Sequence, residues 1–351
     1  MYVVFLLGLG VYFFKNSKSQ SDYFIGGRNL NVWVTSMSAQ ASDMSGWLLM
    51  GLPGTAFLLS ENSGMAGAVW TGIGLAVGTY LNWLFLAKRF RQYTEHADDS
   101  ITIPSYLENR FKDKTNLIRL ISAIFIVFFF LIYTAAQFSA GAKLFDVVFG
   151  LDYSTALFAG AFVIIAYTFL GGFLAVCWSD LIQGILMFFA IVILPIVAIF
   201  ELGGVEMTFQ TAASLVDGTK QLGVEEWFGF ESMGLLGIVS TAAWGLGYFG
   251  QPHILARFMG IKKASDVKPA RRIATVWVVI TLTASIFLGV IGRAYMATTI
   301  GVDAAGQIDG ERIFIYMVQH ILSGPFFAII AGILLTAILS AIMSTADSQL
   351  L

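Results

Sequence analysis

The sequence predicts an all-α fold, a polytopic bundle of membrane-crossing helices, and three observations carry that prediction. Of the 351 residues, 57% are hydrophobic and 12% charged, about half of the roughly 25% charge of an average soluble domain. The apolar residues fall into nine runs, most of them long enough to cross a bilayer. The basic residues gather in alternate connections between those runs. Mean hydropathy is +0.79, and the charged skin that a soluble protein of this length needs is missing. A net charge of −2 offers no basis for nucleic-acid binding. The single cysteine, Cys177, excludes an internal disulfide. Met1 to Phe14 is apolar but lacks the basic start and small-residue cleavage site of a secretory signal.

The runs cover residues 1–14, 31–60, 65–87, 117–145, 153–171, 179–202, 233–257, 271–298 and 323–350. The first is a prefix helix, about 21 Å long if helical. The thirty residues of the second would extend about 45 Å if straight, against a hydrocarbon core of roughly 30 Å, so a break or a strong tilt is expected. Thr102 to Phe111 reads as a short helix at the cytoplasmic interface, with Pro104 in its first turn. Residues 206–232 read as an external cover, part helical. Lys15, Lys18 and Arg28 follow the prefix helix. Lys88, Arg89, Arg91, Arg110, Lys112, Lys114 and Arg119 lie between 65–87 and 117–145 or at the start of the latter, and Arg257, Lys262, Lys263, Lys268, Arg271 and Arg272 come before or at the start of 271–298. The opposite connections hold Glu61, then Lys143, Asp146 and Asp152, then Glu206, Asp217, Lys220, Glu225, Glu226 and Glu231. The positive-inside rule therefore places the basic connections in the cytoplasm and the amino terminus outside.

Asp43 is the most informative residue. It stands in the apolar run Ala41-Ser42-Asp43-Met44-Ser45-Gly46-Trp47-Leu48-Leu49-Met50-Gly51-Leu52-Pro53-Gly54, and a carboxylate at membrane depth costs about 3 kcal/mol on insertion scales. Either something useful binds it or it pairs with a buried donor such as Arg28 or a helix end; the rarity of intramembrane acids favours function. The glycines and Pro53 let the backbone leave the helix nearby. The stretch Trp244-Gly245-Leu246-Gly247-Tyr248-Phe249-Gly250-Gln251-Pro252 repeats the theme and crosses in the opposite sense. Two interrupted helices in antiparallel halves point to a midplane site, whereas glycines alone would only permit close helix packing.

Unwinding near Ala41 to Met44 would free backbone carbonyls. Ala341, Ser344 and Thr345 occupy i, i+3 and i+4 of one helical face. Together these make a plausible oxygen cage for sodium, a hard cation, although spacing alone fits ordinary helix–helix hydrogen bonding better. Asp180 follows Cys177-Trp178-Ser179 near the start of 179–202 and is equally readable as a helix cap. Asp347 is either a cytoplasmic gate or simply exposed. Trp47, Tyr133, Trp244 and Tyr248 are candidates for a solute pocket, Tyr133 with the least support because it flanks neither break; packing or interface anchoring is the ordinary role of such aromatics. His96, His253 and His320 show no ligand spacing, and no metalloprotease, nucleotide-loop or nucleophile-elbow motif is present. The residues therefore indicate no enzyme and no cofactor, and any pumping must draw on an ion gradient.

At these residues the chain resembles the sodium/solute symporter family, and within it the sodium/proline symporters of bacteria. The likeness is carried by Ser21-Asp22-Tyr23-Phe24-Ile25-Gly26-Gly27-Arg28, by Ala41 through Gly54, by Thr168-Phe169-Leu170-Gly171-Gly172-Phe173-Leu174-Ala175-Val176, by Trp244 through Phe258, and by Ala341-Ile342-Met343-Ser344-Thr345. It covers nearly the whole sequence. The resemblance implies leucine-transporter-like inverted repeats: the prefix helix 1–14, a first five-helix repeat 31–202 and a second repeat 233–351. It implies sodium held by carbonyls of Ala41, Met44 and Ala341 and by hydroxyls of Ser344 and Thr345, with Asp43 and Asp180 in cation coupling. It implies substrate near Ser45, Gly46, Trp47, Tyr133, Trp244, Tyr248 and Pro252. Family members continue with at least two more core helices, so the second repeat is expected to be incomplete, with truncation at the carboxyl terminus. The expected function is uptake of L-proline coupled to sodium influx across a bacterial inner membrane, with sodium, proline and the lipid bilayer as partners and sodium as the coupling ion. Alternatives are a symporter of another small solute, such as pantothenate or a sugar, or the transporter-like membrane domain of a solute sensor.

Overall fold

The computed structural model describes residues 2–16, 19–59, 64–324 and 326–351, so Lys18 and Glu61, both used above to orient the bundle, lie outside the described residues. The described residues form seventeen α-helices, joined by short 3-10 and π turns, with no strand among them. In sequence order they are α1 (Tyr2–Asn16), α2 (Gln20–Ile25), α3 (Val32–Leu49), α4 (Gly51–Phe57), α5 (Gly64–Leu81) and α6 (Lys88–His96). Next come α7 (Ile103–Phe111), α8 (Leu117–Phe149), α9 (Tyr153–Glu201), α10 (Val205–Ser214), α11 (Val224–Phe228) and α12 (Gly234–Ala242). The last are α13 (Pro252–Gly260), α14 (Val267–Ile300), α15 (Val302–Gly306), α16 (Ile313–Ile321) and α17 (Ala328–Leu350).

Among the described residues, five helical stretches are long and apolar enough to cross a membrane: Gly64–His96, Leu117–Val148, Gly171–Glu201, Ala264–Ile300 and Ala328–Leu350. The other four expected spans are shorter or interrupted. Val4–Lys15, Tyr153–Ala166 and Gly234–Gly250 are apolar but short, and the 31–60 run is divided between α3 and α4. The outer face of α8 leaves Ile124, Phe125, Val127, Phe128, Phe129 and Leu131 more than half exposed, which suits lipid and not water.

The expected helices 153–171 and 179–202 are both present, and the second begins earlier, so that the two meet at a kink. They join in α9, whose one non-helical residue is Gly172 (φ 62°, ψ −174°). A helix of that length would extend about 74 Å if straight, so it must redirect to stay within a bilayer of roughly 30 Å. Glycine makes the turn in one residue because positive φ costs it no Cβ clash; a Cβ there would also meet the Tyr23 ring at 2.9 Å.

α3 sits at the centre, packed by α9, α13, α14 and α17. It is rich in small polar residues, and Thr35, Ser36, Ser38, Gln40 and Ser42 are all buried. Thr35 and Ser36 donate to carbonyls one turn back, so a helix buried on every side can carry them. Asn31 caps its start, accepting from the Val34 amide at 2.9 Å. The predicted interface helix is α7, capped by Thr102, with Pro104 in its first turn. At the start of α8, the Thr115 hydroxyl and the Ile118 amide donate to the Asp113 carboxylate and hold it below its usual range.

Three of the basic residues used to orient the bundle are not solvated loop charges. Arg28, Arg91 and Arg257 are 9%, 6% and 1% exposed. Arg28 pairs with Asp99 at 2.9 Å and donates to the Met259 and Ser100 carbonyls. Arg91 donates to the Ile261 carbonyl at 2.8 Å. Both therefore anchor the end of α13, where Leu30, just ahead of α3, bridges to Ile261.

Candidate functional site

The first break falls at Ser45, whose backbone (φ 52°, ψ −175°) leaves the helix inside α3. An unbroken helix would send the Gly46 and Trp47 amides to the carbonyls of Ser42 and Asp43. Here the Gly46 amide donates to Gln137 Oε1 at 3.3 Å, and the Trp47 amide donates to Ser45 Oγ at 3.1 Å. The Asp43 carbonyl accepts from the Tyr133 hydroxyl at 3.2 Å. Every backbone group at membrane depth needs such a partner. A second irregularity at Met50 (φ −124°, ψ −61°) separates α3 from α4.

Ala341, Ser344 and Thr345 are fully buried on the face of α17 that meets α3. Ser344 Oγ lies 2.9 Å from the Ala41 carbonyl and 3.1 Å from the Ala341 carbonyl. Thr345 Oγ1 is buried without a hydrogen-bond partner. Met44 is buried immediately before the break. The oxygens on this contact are neutral carbonyls and hydroxyls, a donor set suited to a hard cation of low charge.

The second break runs through the 3-10 stretch Ala243–Gly250 to the extended residue Gln251 (φ −74°, ψ 109°), after which Pro252 opens α13. Asn82, in the π turn that follows α5, donates to the Tyr248 carbonyl at 2.9 Å. Gly245 also serves packing: its backbone lies against Gly74 and Gly78, so close that a Cβ on any of the three would strike the facing backbone. Gly74 and Gly78 are four residues apart on α5, a local signal of close helix approach that hydropathy alone does not reveal.

A cavity of about 480 Å³ lies between the two breaks. Ser45, Gly46, Trp47, Tyr133, Trp244 and Tyr248 all line it, and so does Asp43. The rings of Trp47 and Trp244 are 5.0 Å apart and tilted by 53°. Pro252 is not in this cavity; it lines a second one of about 370 Å³, with His253 and Arg257, because the extended Gln251 carries the backbone to the other side of the break. Gln137, Gln251, Lys143 and Glu311 also line the first cavity, and none of them is among the residues the sequence proposed for the site. Gln137 carried a signal, an amide side chain in an apolar span, now 5% exposed.

Asp43 does not pair with Arg28, which binds Asp99. Among the described residues it faces His253, whose Nε2 lies 3.8 Å from Oδ1, beyond hydrogen-bond distance. Asp180 does not cap a helix: it lies within α9, eight residues past Gly172, and is fully buried. It accepts from Ser38 Oγ at 2.6 Å and pairs with Arg257 at 3.0 Å. The Arg257 guanidinium also donates to Ser38 Oγ, the His253 carbonyl and Ser348 Oγ. Asp347 is buried beside this network, so exposure is excluded for it. Arg257 thus ties α3, α9, α13 and α17 together, a role concealed by its place in a basic stretch.

A family model described as the Sodium:solute symporter family matches residues 23–351. The chain is 43% identical over 351 residues to the sodium/proline symporter of Escherichia coli (strain K12), covering all of this chain and 67% of the relative. It is 44% identical over the same span to the osmoregulated proline transporter OpuE of Bacillus subtilis (strain 168), again 67% of that protein. It is 45% identical over 346 residues to the high-affinity proline transporter PutP of the same organism, covering 99% of this chain and 69% of the relative. The fold is similar to the solved structure of a Na+-coupled sialic acid symporter in a substrate-bound outward-open state, with a TM-score of 0.81, 22% identity, and coverage of 99% of this chain and 70% of the other.

Proposed function

The chain belongs to the sodium:solute symporter family, and from that premise we propose that it takes up L-proline coupled to sodium influx. One observation carries the reading: the Ala41 and Ala341 carbonyls and the Ser344 hydroxyl converge where the interrupted helix α3 meets α17. The kinship with bacterial proline transporters along the whole sequence supports proline as the solute.

In this reading, Ala41, Met44, Ala341, Ser344 and Thr345 hold sodium. Asp43 and Asp180 act in cation coupling, and the cavity formed by Ser45, Gly46, Trp47, Tyr133, Trp244 and Tyr248 holds proline. Pro252 shapes the second break from the opposite side. Sodium braces α3 against α17 and favours the outward-open form; proline closes the outer path, and rocking of the two repeats exposes both to the cytoplasm. The repeats are 31–202 and 233–351, with 1–14 as a prefix. The protein sits in a bacterial inner membrane with its amino terminus outside, uses no organic cofactor and catalyses no covalent step.

A tenfold sodium gradient supplies about 1.4 kcal/mol, and a potential of 100 mV adds about 2.3 kcal/mol for one charge. Together they sustain proline accumulation on the order of several hundredfold. Uptake of labelled proline by the protein in liposomes tests the proposal. Uptake should collapse when sodium is replaced by potassium; unchanged uptake would rule the coupling out.

A further inference from the structure

The cavity between the two breaks has one cationic side chain among its described lining residues, Lys143 of α8. Its ammonium contacts the carboxylate of Glu311, which lines the same cavity. Lys143 lies about 15 Å along the helix from Tyr133, at 1.5 Å per residue, so the pair stands far from the Asp43 carbonyl that Tyr133 touches. Neither partner is deeply buried, with 31% and 49% of their side chains accessible, so their bond contributes little to stability.

The turn that carries Glu311 is held independently. Gly310–Arg312 packs on Gly54 of α4, where an added Cβ would come within 2.9 Å of the Gly310 and Glu311 backbone. Arg312 pairs with Asp146 of α8 at 3.5 Å. The bond between Lys143 and Glu311 can therefore open without releasing the turn. An amino acid entering there brings a carboxylate for Lys143 and an ammonium for Glu311, so one ion pair is exchanged for two. A neutral solute gains nothing from the exchange.

We propose that Lys143 and Glu311 form an outer recognition subsite for a zwitterionic solute, occupied before the deeper part of the cavity. The subsite rests on the proline reading given above. Lys143 is the only fixed cation that a carboxylate meets among the described residues of the cavity wall, which makes it the group that separates amino acids from neutral solutes.

The test is labelled proline uptake by the protein in liposomes, with unlabelled proline and prolinamide as competitors. Prolinamide keeps the ammonium and lacks the carboxylate. Lys143→Met should raise the KM for proline about tenfold with a much smaller change in saturating rate, and should alter inhibition by prolinamide by less than about twofold. Glu311→Gln should weaken both competitors. Lys143→Arg, and the exchange Lys143→Glu with Glu311→Lys, should recover most of the loss. An unchanged KM in Lys143→Met, or an equal loss for proline and prolinamide, overturns the subsite. Absence of sodium-dependent proline uptake in the unaltered protein would instead overturn the reading beneath it.

Discussion

The hydroxyl of Ser344 lies 2.9 Å from the carbonyl of Ala41, a contact between residues 303 positions apart in sequence. It joins the last turn of α3 before the Ser45 break to a fully buried face of α17. Beside it, Thr345 Oγ1 is buried with no hydrogen-bond partner, although a buried hydroxyl is costly to leave unpaired. A cation bound between these oxygens would satisfy that hydroxyl.

Ser344→Ala removes the oxygen that stands between two carbonyls, and Thr345→Val removes its neighbour at nearly constant shape. Each should raise the sodium concentration needed for half-maximal proline uptake about tenfold or more, with uptake recovering at high sodium. Sodium titrations of uptake check this. Unaltered sodium affinity in both variants would break the site assignment.

The Asp180–Arg257 pair is fully buried, so removing one partner strands the other charge. Asp180→Asn or Arg257→Met should each destabilise the protein by about 3–5 kcal/mol. Arg257→Met should be the worse, because Ser38, Ser348 and the His253 carbonyl lose their donor as well. The double variant Asp180→Leu with Arg257→Met should be more stable than either single variant. Thermal unfolding in detergent reads the order.

Gly74 and Gly78 meet the backbone of Ala242 and Gly245, which cannot yield as a flexible side chain would. Gly74→Ala should therefore cost about 1–3 kcal/mol by overpacking. Gly247→Ala and Gly250→Ala place a methyl group where no atom lies within 4 Å. They should shift the unfolding temperature far less, and an equal shift for all three would contradict the packing account.

Ser45 holds a backbone conformation that few residues other than glycine adopt, at a cost of order 1–3 kcal/mol. Ser45→Ala keeps that cost and loses the hydrogen bond to the Trp47 amide; Ser45→Gly loses the bond but relieves the backbone. The alanine variant should be less stable than the glycine variant by about 1 kcal/mol. Unfolding temperatures of the pair check the order, and both variants should show weaker proline uptake at low concentration.

The features legible in the sequence were those that a short window of residues holds by itself. Apolar runs mark spans because lipid offers no hydrogen bonds, whatever the neighbours are. An acid, a cluster of glycines and a proline mark an interrupted helix, and the break duly falls at Ser45, beside the expected Ala41 to Met44. The shared face of Ala341, Ser344 and Thr345 follows from helical spacing alone. Tertiary structure decided which distant groups meet: Ser344 with Ala41, Gln137 with the Gly46 amide, Arg257 with Asp180, and Lys143 with Glu311. It also set Pro252 in a different cavity from Trp244 and Tyr248, and placed the kink between two expected helices at Gly172. Each of these outcomes depends on how helices far apart in sequence lie against one another, and hydropathy and residue spacing hold no record of that arrangement.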